Sequence, residues 1–232
     1  MNSVEIIERF EKNADPTAAG GMAKFGIVAK KVYGIKIPVL RSLAKEIGKN
    51  QKLSLELWDS NSWETRILAA MIGDSDLLSV AQMESWMKDF DSWEICDQCI
   101  MNLFEKHPSA WEKAREWSIR PEEFVKRAGF VMMARLAVSD KNAADERFEE
   151  FFPLIVREAC DGRNMVKKAV NWALRQIGKR NILLHEKAVC CAREIQALDS
   201  KSARWTAADA IRELLSDAVI TRLKNKTENG LS

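Results

Sequence analysis

The sequence predicts an all-α protein built from repeating pairs of helices. Apolar residues recur at intervals of three and four, the period of an amphipathic helix, and strand-like alternation never lasts more than a few residues. Residues that favour helix starts precede the apolar stretches. A weak internal repeat of similar stretches also runs along the 232-residue chain.

Helix starts are marked by two kinds of residue. Pro38, Pro108 and Pro121 each precede an amphipathic or apolar stretch, and proline is favoured in the first turn of a helix. Ser62 and Ser92 stand before WETRILAAMIGD and WEICDQCIMNLF, where a serine hydroxyl can cap the free backbone N–H groups. The chain therefore divides into a dozen or so helices with short connections.

The repeated stretches are apolar, contain alanine and are often basic at the fourth position. They begin near Trp63, Trp93, Phe124, Met165 and Ala203, at spacings of about 30 to about 41 residues. Helix pairs of this length predict a HEAT-like α-solenoid of tandem antiparallel helix pairs with a concave basic face. The alternative is an irregular helical bundle.

We expect one domain over residues 1–232. It comprises basic N-terminal helices over about 1–53, helical repeats over 54–226 and a disordered tail over 227–232. The net charge of +2 is segregated: residues 1–53 carry +5 (10 basic, 5 acidic), 54–162 carry −10 (12 against 22), and 163–226 carry +8 (14 against 6). Two basic ends can grip a polyanion. Alternatively, solvated helix faces simply differ in charge.

The N-terminal sequence and the cysteines indicate a cytoplasmic protein. The first residues, MNSVEIIERFEKN, contain no apolar signal core, and no run of 18 apolar residues occurs that would suggest a membrane span. The five cysteines lie among helix-forming residues, which is typical of free thiols in a reducing compartment.

The motif Cys96-x-x-Cys99 raises the possibility of a redox dithiol or half of a zinc site. A redox dithiol favours a βαβ context and a zinc ion needs two more ligands; neither is evident, since Cys190 and Cys191 are adjacent and poorly spaced for metal. On a helix both cysteines share the apolar side with Leu103. We therefore expect them to pack in the core and predict no metal and no cofactor.

Trp93 and Asp97 lie on another side of the same helix. They are one turn apart, at about 0° and about 40° around the axis. A half-buried tryptophan and a solvated aspartate would be an ordinary pair. The alternative is a functional pair.

A later helix carries an aromatic residue among cations. In NMVKKAVNWALRQIGK, one stripe is Lys168, Trp172, Arg175 and Lys179, while the opposite side is apolar. Cations for phosphates and an aromatic ring for a base or sugar are typical of a nucleic-acid surface. The alternative for Trp172 is a surface aromatic without a ligand.

Arg127 lies in FVKRAGFVMMARLAV, which is apolar almost all round and so predicts a largely buried helix. Because an unpaired buried charge is very costly, this arginine needs an anion or a carbonyl partner. A core carboxylate and a DNA phosphate both satisfy that need.

Four motifs, in order, resemble the AlkD-like DNA alkylation repair glycosylases, a HEAT-like helical family. They are GIKIP (Gly34 to Pro38), WEICD (Trp93 to Asp97), FVKRA around Arg127 and NWALRQ around Trp172. The resemblance covers most of the chain. Two positions depart from the family pattern: Glu94 stands where the family motif has its first aspartate, and Phe25 aligns near a tyrosine of characterised relatives.

The resemblance implies a monofunctional glycosylase that hydrolyses the N-glycosidic bond of cationic alkylated purines in duplex DNA. Asp97 would be the catalytic carboxylate, with Trp93 and Trp172 flanking the cationic nucleotide. The partner would be double-stranded DNA and the protein a monomer, without a membrane. The DNA-contacting residues would be Arg127, Lys168, Arg175, Lys179, Arg204, Phe25 and Lys36.

Two other functions stay open. A non-catalytic binder of damaged or branched DNA predicts salt-dependent binding without base release. A protein-binding α-solenoid scaffold predicts no affinity for DNA at low salt, and the stripe of Lys168, Trp172 and Arg175 argues against it.

Overall fold

All regular secondary structure in the described part of the chain is helical, which confirms the predicted all-α class. A computed structural model describes residues 1–24 and 31–228. The helices are α1 (Ser3–Lys12), α2 (Ala18–Ala23), α3 (Ile37–Ile47), α4 (Gln51–Asp59), α5 (Trp63–Ile72), α6 (Val80–Lys88), α7 (Trp93–Asn102), the 3-10 helix η1 (Phe104–Lys106), α8 (Ala110–Ser118), α9 (Glu123–Ser139), α10 (Asp145–Glu149), α11 (Phe152–Glu158), α12 (Asn164–Gly178), α13 (Ile182–Gln196), α14 (Lys201–Leu214) and α15 (Asp217–Glu228).

The predicted caps begin their helices. The hydroxyl of Ser62 accepts a hydrogen bond from the backbone N–H of Thr65, and that of Ser92 accepts one from Ile95. Pro38 lies in the first turn of α3. Helices α8 and α9 each begin two residues after the proline that was expected to mark them. Local capping chemistry thus sets most of these boundaries.

The five repeated stretches form α5, α7, α9, α12 and α14, each starting within two residues of the predicted position. The chain divides into two compact units, Met1–Ser109 and Ala110–Ser232. In the first unit α5 packs against α3 and α7, and in the second α12 packs against α9 and α14. Companion helices pack beside them: α4 on α5, α8 on α9 and α13 on α14. The single domain and the concave basic face stay predictions.

Helices α12 and α14 lie side by side and run in the same direction. The side-chain contacts advance together along both helices, from Lys167 with Trp205 to Arg175 with Glu213. Both pairs are 38 residues apart. The same separation joins Arg127 on α9 to Met165 on α12. The second unit is therefore built on a regular repeat.

The GIKIP segment is held by a buried carboxylate. One side-chain oxygen of Glu64 accepts hydrogen bonds from the backbone N–H groups of Tyr33, Gly34 and Ile35, at 2.9, 2.6 and 3.2 Å. Gly34 has a φ of 83°, and a Cβ there would lie 2.8–2.9 Å from Ala18 and Asp15. Glycine is required at this position because a side chain would be both strained and crowded.

Helix α9 is buried along most of its length, as its apolar composition predicts. Gly129 allows α8 to approach closely, since a Cβ at this position would lie 2.3 Å from the backbone nitrogen of Ser118. Within the described residues, none of the helices combines the length and apolar character that crossing a membrane requires.

Candidate functional site

The first unit places a carboxylate and an indole together at the start of α7. Trp93 is the first residue of the helix and is half-buried, while the side chain of Asp97, one turn later, is buried, with 8% of the residue exposed. A solvated aspartate, the ordinary alternative considered from the sequence, is therefore excluded. A carboxylate with so little water around it exerts a stronger electrostatic effect on a neighbouring charge than one in bulk solvent.

Glu94 is a second carboxylate on the same helix. It is half-buried, and burial raises its pKa; the negative charge of Asp97 raises the pKa further. Glu94 therefore holds its proton to a higher pH than an ordinary glutamate, and the two carboxylates are electrostatically coupled. The departure from the family motif thus keeps an acidic group at this position, and the pKa of that group is raised beside Asp97.

Cys96 and Cys99 lie on the apolar side of α7 and are fully buried, as the packing interpretation predicts. Burial raises the pKa of the Cys99 thiol well above its ordinary value, so this thiol is a poor nucleophile. In the described part of the chain, no three His, Cys, Asp or Glu residues are grouped so that they could hold a metal ion.

Arg66 on α5 is the basic residue at the fourth position of the repeated stretch that begins at Trp63, and its environment was not foreseen from the sequence. Its guanidinium lies over the Trp58 ring, 5.1 Å from the centroid, and donates a 2.9 Å hydrogen bond to the backbone carbonyl of Asp89. It also lies 3.8 Å from carboxylate oxygens of Asp89 and Asp91. Arg66 thus joins α5 to the turn that precedes α7.

Arg127 plays the corresponding part in the second unit. It is buried on α9, and its Nη1 donates a 2.7 Å hydrogen bond to the backbone carbonyl of Met165 in the first turn of α12. The sequence interpretation required an anion or a carbonyl partner, and this contact supplies the carbonyl. Arg66 and Arg127 each lie at the fourth position of a repeat, and each donates to the backbone near the start of the next repeat helix.

The stripe on α12 combines an exposed cation with two that are paired. Lys168 is exposed and Trp172 is half-buried. Arg175 and Lys179 both bind the carboxylate of Glu213 on α14, and Arg175 Nε also lies 3.8 Å from Asp209. The acidic partner was missed from the sequence. The signal was present, however, because Glu213 follows Arg175 by the 38-residue repeat.

The other residues expected to contact DNA do not belong to the α12 stripe. Arg204 is exposed and lies 3.2 Å from the exposed carboxylate of Asp199, a pair that contributes little in water. Lys36 is exposed just before α3. Phe25 lies outside the described residues.

Comparison with known proteins supports the assignment of fold and family. Residues 6–214 match a family model described as "DNA alkylation repair enzyme". A protein from a family described as related to the HEAT-like repeat DNA glycosylases, with affinity for branched DNA structures, has the same fold. It is 18% identical, and the match covers 93% of this chain and 96% of that protein, with a TM-score of 0.77.

A designed armadillo repeat protein also matches, at 15% identity over 75% of this chain and 91% of that one, with a TM-score of 0.36. No curated protein sequence matches this chain significantly.

Proposed function

Because the chain belongs to the DNA alkylation repair enzyme family, we propose that it is a DNA glycosylase that removes cationic alkylated purines from duplex DNA. The observation that carries this proposal is the buried carboxylate of Asp97, one turn from the half-buried indole of Trp93. A surface that only binds DNA would avoid a carboxylate, since it repels phosphates. A catalytic requirement accounts for its presence.

The chemistry needs little more than a well-placed negative charge. A purine alkylated at a ring nitrogen is cationic and departs as a neutral base, so no strong general acid is required. Positive charge develops on the deoxyribose as the bond breaks. In the proposed mechanism, Asp97 stabilises that charge and directs the attacking water, a role in which a preorganised carboxylate is effective.

Indole faces stabilise cations through their electron-rich ring systems. We assign this role to Trp93 on α7 and, by the same reasoning, to Trp172 on α12. Glu94 is assigned a smaller role, because it lies about 100° around the helix axis from Trp93, whereas Asp97 lies only about 40° from it.

Binding to the DNA backbone is assigned to the cations of the second unit. Lys168 is exposed and is the strongest candidate on α12, while Arg204 is available at the cost of a weak surface ion pair. Arg175 and Lys179 must exchange Glu213 for a phosphate, so their contributions are smaller than the sequence alone predicted. Arg127 retains its proposed phosphate contact in addition to its bond to Met165.

The proposed activity is tested by incubating the protein with methylated duplex DNA and measuring both free base and abasic sites. We expect free methylated purine and abasic sites in equal amounts. An unmodified duplex and the Asp97→Asn variant serve as controls. Binding without release of base from any alkylated duplex would reject the glycosylase proposal.

The second candidate is a binder of damaged or branched DNA that cuts no bond. It is favoured by the affinity for branched DNA of the structurally similar protein, and by Glu94 in place of the family's first aspartate. The base-release assay separates the two functions. The monomeric state and the cytoplasmic location stay predictions.

A further inference from the structure

Trp205 on α14 is the most exposed tryptophan in the described part of the chain, at 40%. It belongs to an exposed stripe, Lys201, Arg204, Trp205 and Ala208, that follows helical spacing, while Ser202, Ala203, Thr206 and Ala207 face the core. The small side chain of Ala208 leaves room beside the indole in the next turn. A large aromatic ring exposed to water lacks the favourable burial that the protein gives most of its other indoles.

One cation lies over this ring, and three more are exposed on helices α12 and α14. The ammonium group of Lys167 on α12 lies over the indole, 4.6 Å from the ring centroid. Lys168, the chain neighbour of Lys167, is exposed on α12, and Lys201 and Arg204 are exposed within four residues of Trp205 on α14. Within the described chain, the ion pair of Arg204 with Asp199 is the only one formed by these four cations. We call Lys167, Lys168, Lys201, Arg204 and Trp205 the Trp205 patch.

The charge and the aromatic ring together select the partner. An excess of positive charge complements a polyanion and disfavours a basic or apolar protein surface. In a fully paired duplex the base faces are stacked on one another, so an exposed indole gains nothing from them. A base outside the stack offers its face to an aromatic ring, and its neighbouring phosphates attract the lysines.

We propose that the Trp205 patch binds unpaired nucleotides of DNA, with the indole stacking on one base and the surrounding cations contacting the adjacent phosphates. The flexible Lys167 side chain leaves the ring for a phosphate when the base stacks. This inference rests on the proposed function only in taking DNA as the partner. It makes DNA with an unpaired arm or gap the preferred substrate class of the second unit.

The test compares two labelled probes at one salt concentration: a paired duplex and the same duplex carrying an unpaired thymidine arm. The unmodified protein should bind the armed duplex more tightly. Trp205→Ala should weaken binding to the armed duplex about tenfold, the effect of losing one base stack, and leave duplex binding nearly unchanged. Trp205→Phe should restore much of the preference.

Leu183→Ala on α13 is the matched control, because it removes a comparably exposed apolar side chain from the same unit. Lys167→Met should weaken binding to both probes and reduce the salt dependence of binding. It should not abolish the preference for the armed duplex.

If Trp205→Ala weakens binding to both probes equally, or changes binding to neither, the stacking proposal is overturned. Loss of a dimer in Trp205→Ala without any change in DNA preference would instead assign the patch to self-association and reject the proposal. Base release from paired methylated duplex is measured on the same samples. If release persists while the arm preference is absent, only this inference fails; if release is absent while Trp205 governs arm binding, only the glycosylase proposal fails.

Discussion

Helices α7 and α12 occupy equivalent repeat positions in the two units but carry opposite charges. Each has an aromatic and a charged residue one turn apart: Trp93 with Asp97 on α7, and Lys168 with Trp172 on α12. Asp97 is buried whereas Lys168 is exposed. A charge shielded from water acts strongly over a short distance, while an exposed charge attracts a polyanion that keeps its hydration. In the proposed function, the chemical step therefore depends on Asp97 in the first unit, and most of the proposed phosphate contacts lie in the second.

Arg66 and Arg127, by contrast, occupy similar repeat positions in the two units and make similar contacts. Both are buried, and both donate to a backbone carbonyl near the start of the next repeat helix. Arg66 is also bordered by Asp89 and Asp91. At these two positions the arginine therefore serves the structure first, and the DNA contact proposed for Arg127 would be an added function.

The largest expected effect is on base release by Asp97→Asn. The substitution keeps the shape of the side chain and removes its charge, so release should fall roughly a hundredfold or more. Duplex binding should hold or tighten, because a group that repels phosphate has gone. Glu94→Gln is the matched change on the same helix and should have a much smaller effect. Full activity in Asp97→Asn with inactive Glu94→Gln would show that the other carboxylate is catalytic.

The second-largest expected effect is on stability, and it compares the packing around a glycine in each of the two units. Gly129→Ala places a Cβ against the backbone of Ser118, which cannot move aside, whereas Gly73→Ala meets first a terminal carbon of Leu103, at 2.8 Å. We expect Gly129→Ala to lower the free energy of unfolding by about 3 kcal/mol and Gly73→Ala by clearly less. Urea denaturation measures both. Gly162→Ala, which meets no atom within 4 Å, is the control; equal losses in all three variants would refute the close approach of α8 and α9.

A smaller expected effect separates the structural role of Arg66 and Arg127 from a role in DNA binding. Arg66→Met and Arg127→Met each remove a charged donor from a backbone carbonyl, so each should lower the free energy of unfolding by about 2 kcal/mol. DNA affinity should fall for Arg127→Met alone if that residue also contacts a phosphate. The two variants are compared by denaturation and by salt titration of duplex binding. If Arg127→Met binds duplex DNA as tightly as Arg66→Met does, the role of Arg127 is purely structural.

The smallest effect concerns Glu213, which neutralises two cations of the α12 stripe. Burial alone raises the pKa of Glu213, but hydrogen bonds from Lys179 and Arg175 lower the pKa overall, so the group is ionised at neutral pH. Glu213→Gln should free both cations and strengthen duplex binding about fivefold at low salt, with a steeper salt dependence.

Glu186→Gln makes the same change of charge at an exposed position of α13 and should have little effect. Unchanged or weaker binding by Glu213→Gln would show that Arg175 and Lys179 do not contact DNA.

Local chemistry made the helices predictable. Caps such as Ser62 and Ser92 and the apolar period of each stretch act within a few residues, so the sequence indicates them directly. The pairing of Arg175 with Glu213 depends on helix register across 38 residues, which single-helix periodicity cannot supply. The burial of Asp97 likewise depends on neighbouring helices; its angle on the α7 wheel predicted the shared face with Trp93 but not its low exposure.

The central claim is that a buried charge on α7 governs the chemical step while exposed cations on α12 govern binding. Single-turnover base release, measured over a range of protein concentrations in excess of a methylated duplex, separates the two. Asp97→Asn should lower the rate of base release at saturating protein concentration. It should not raise the protein concentration at which the rate is half of its maximum. Lys168→Ala should raise that concentration and leave the saturating rate unchanged. The reverse pattern, or one in which both variants lower only the saturating rate, would contradict the account.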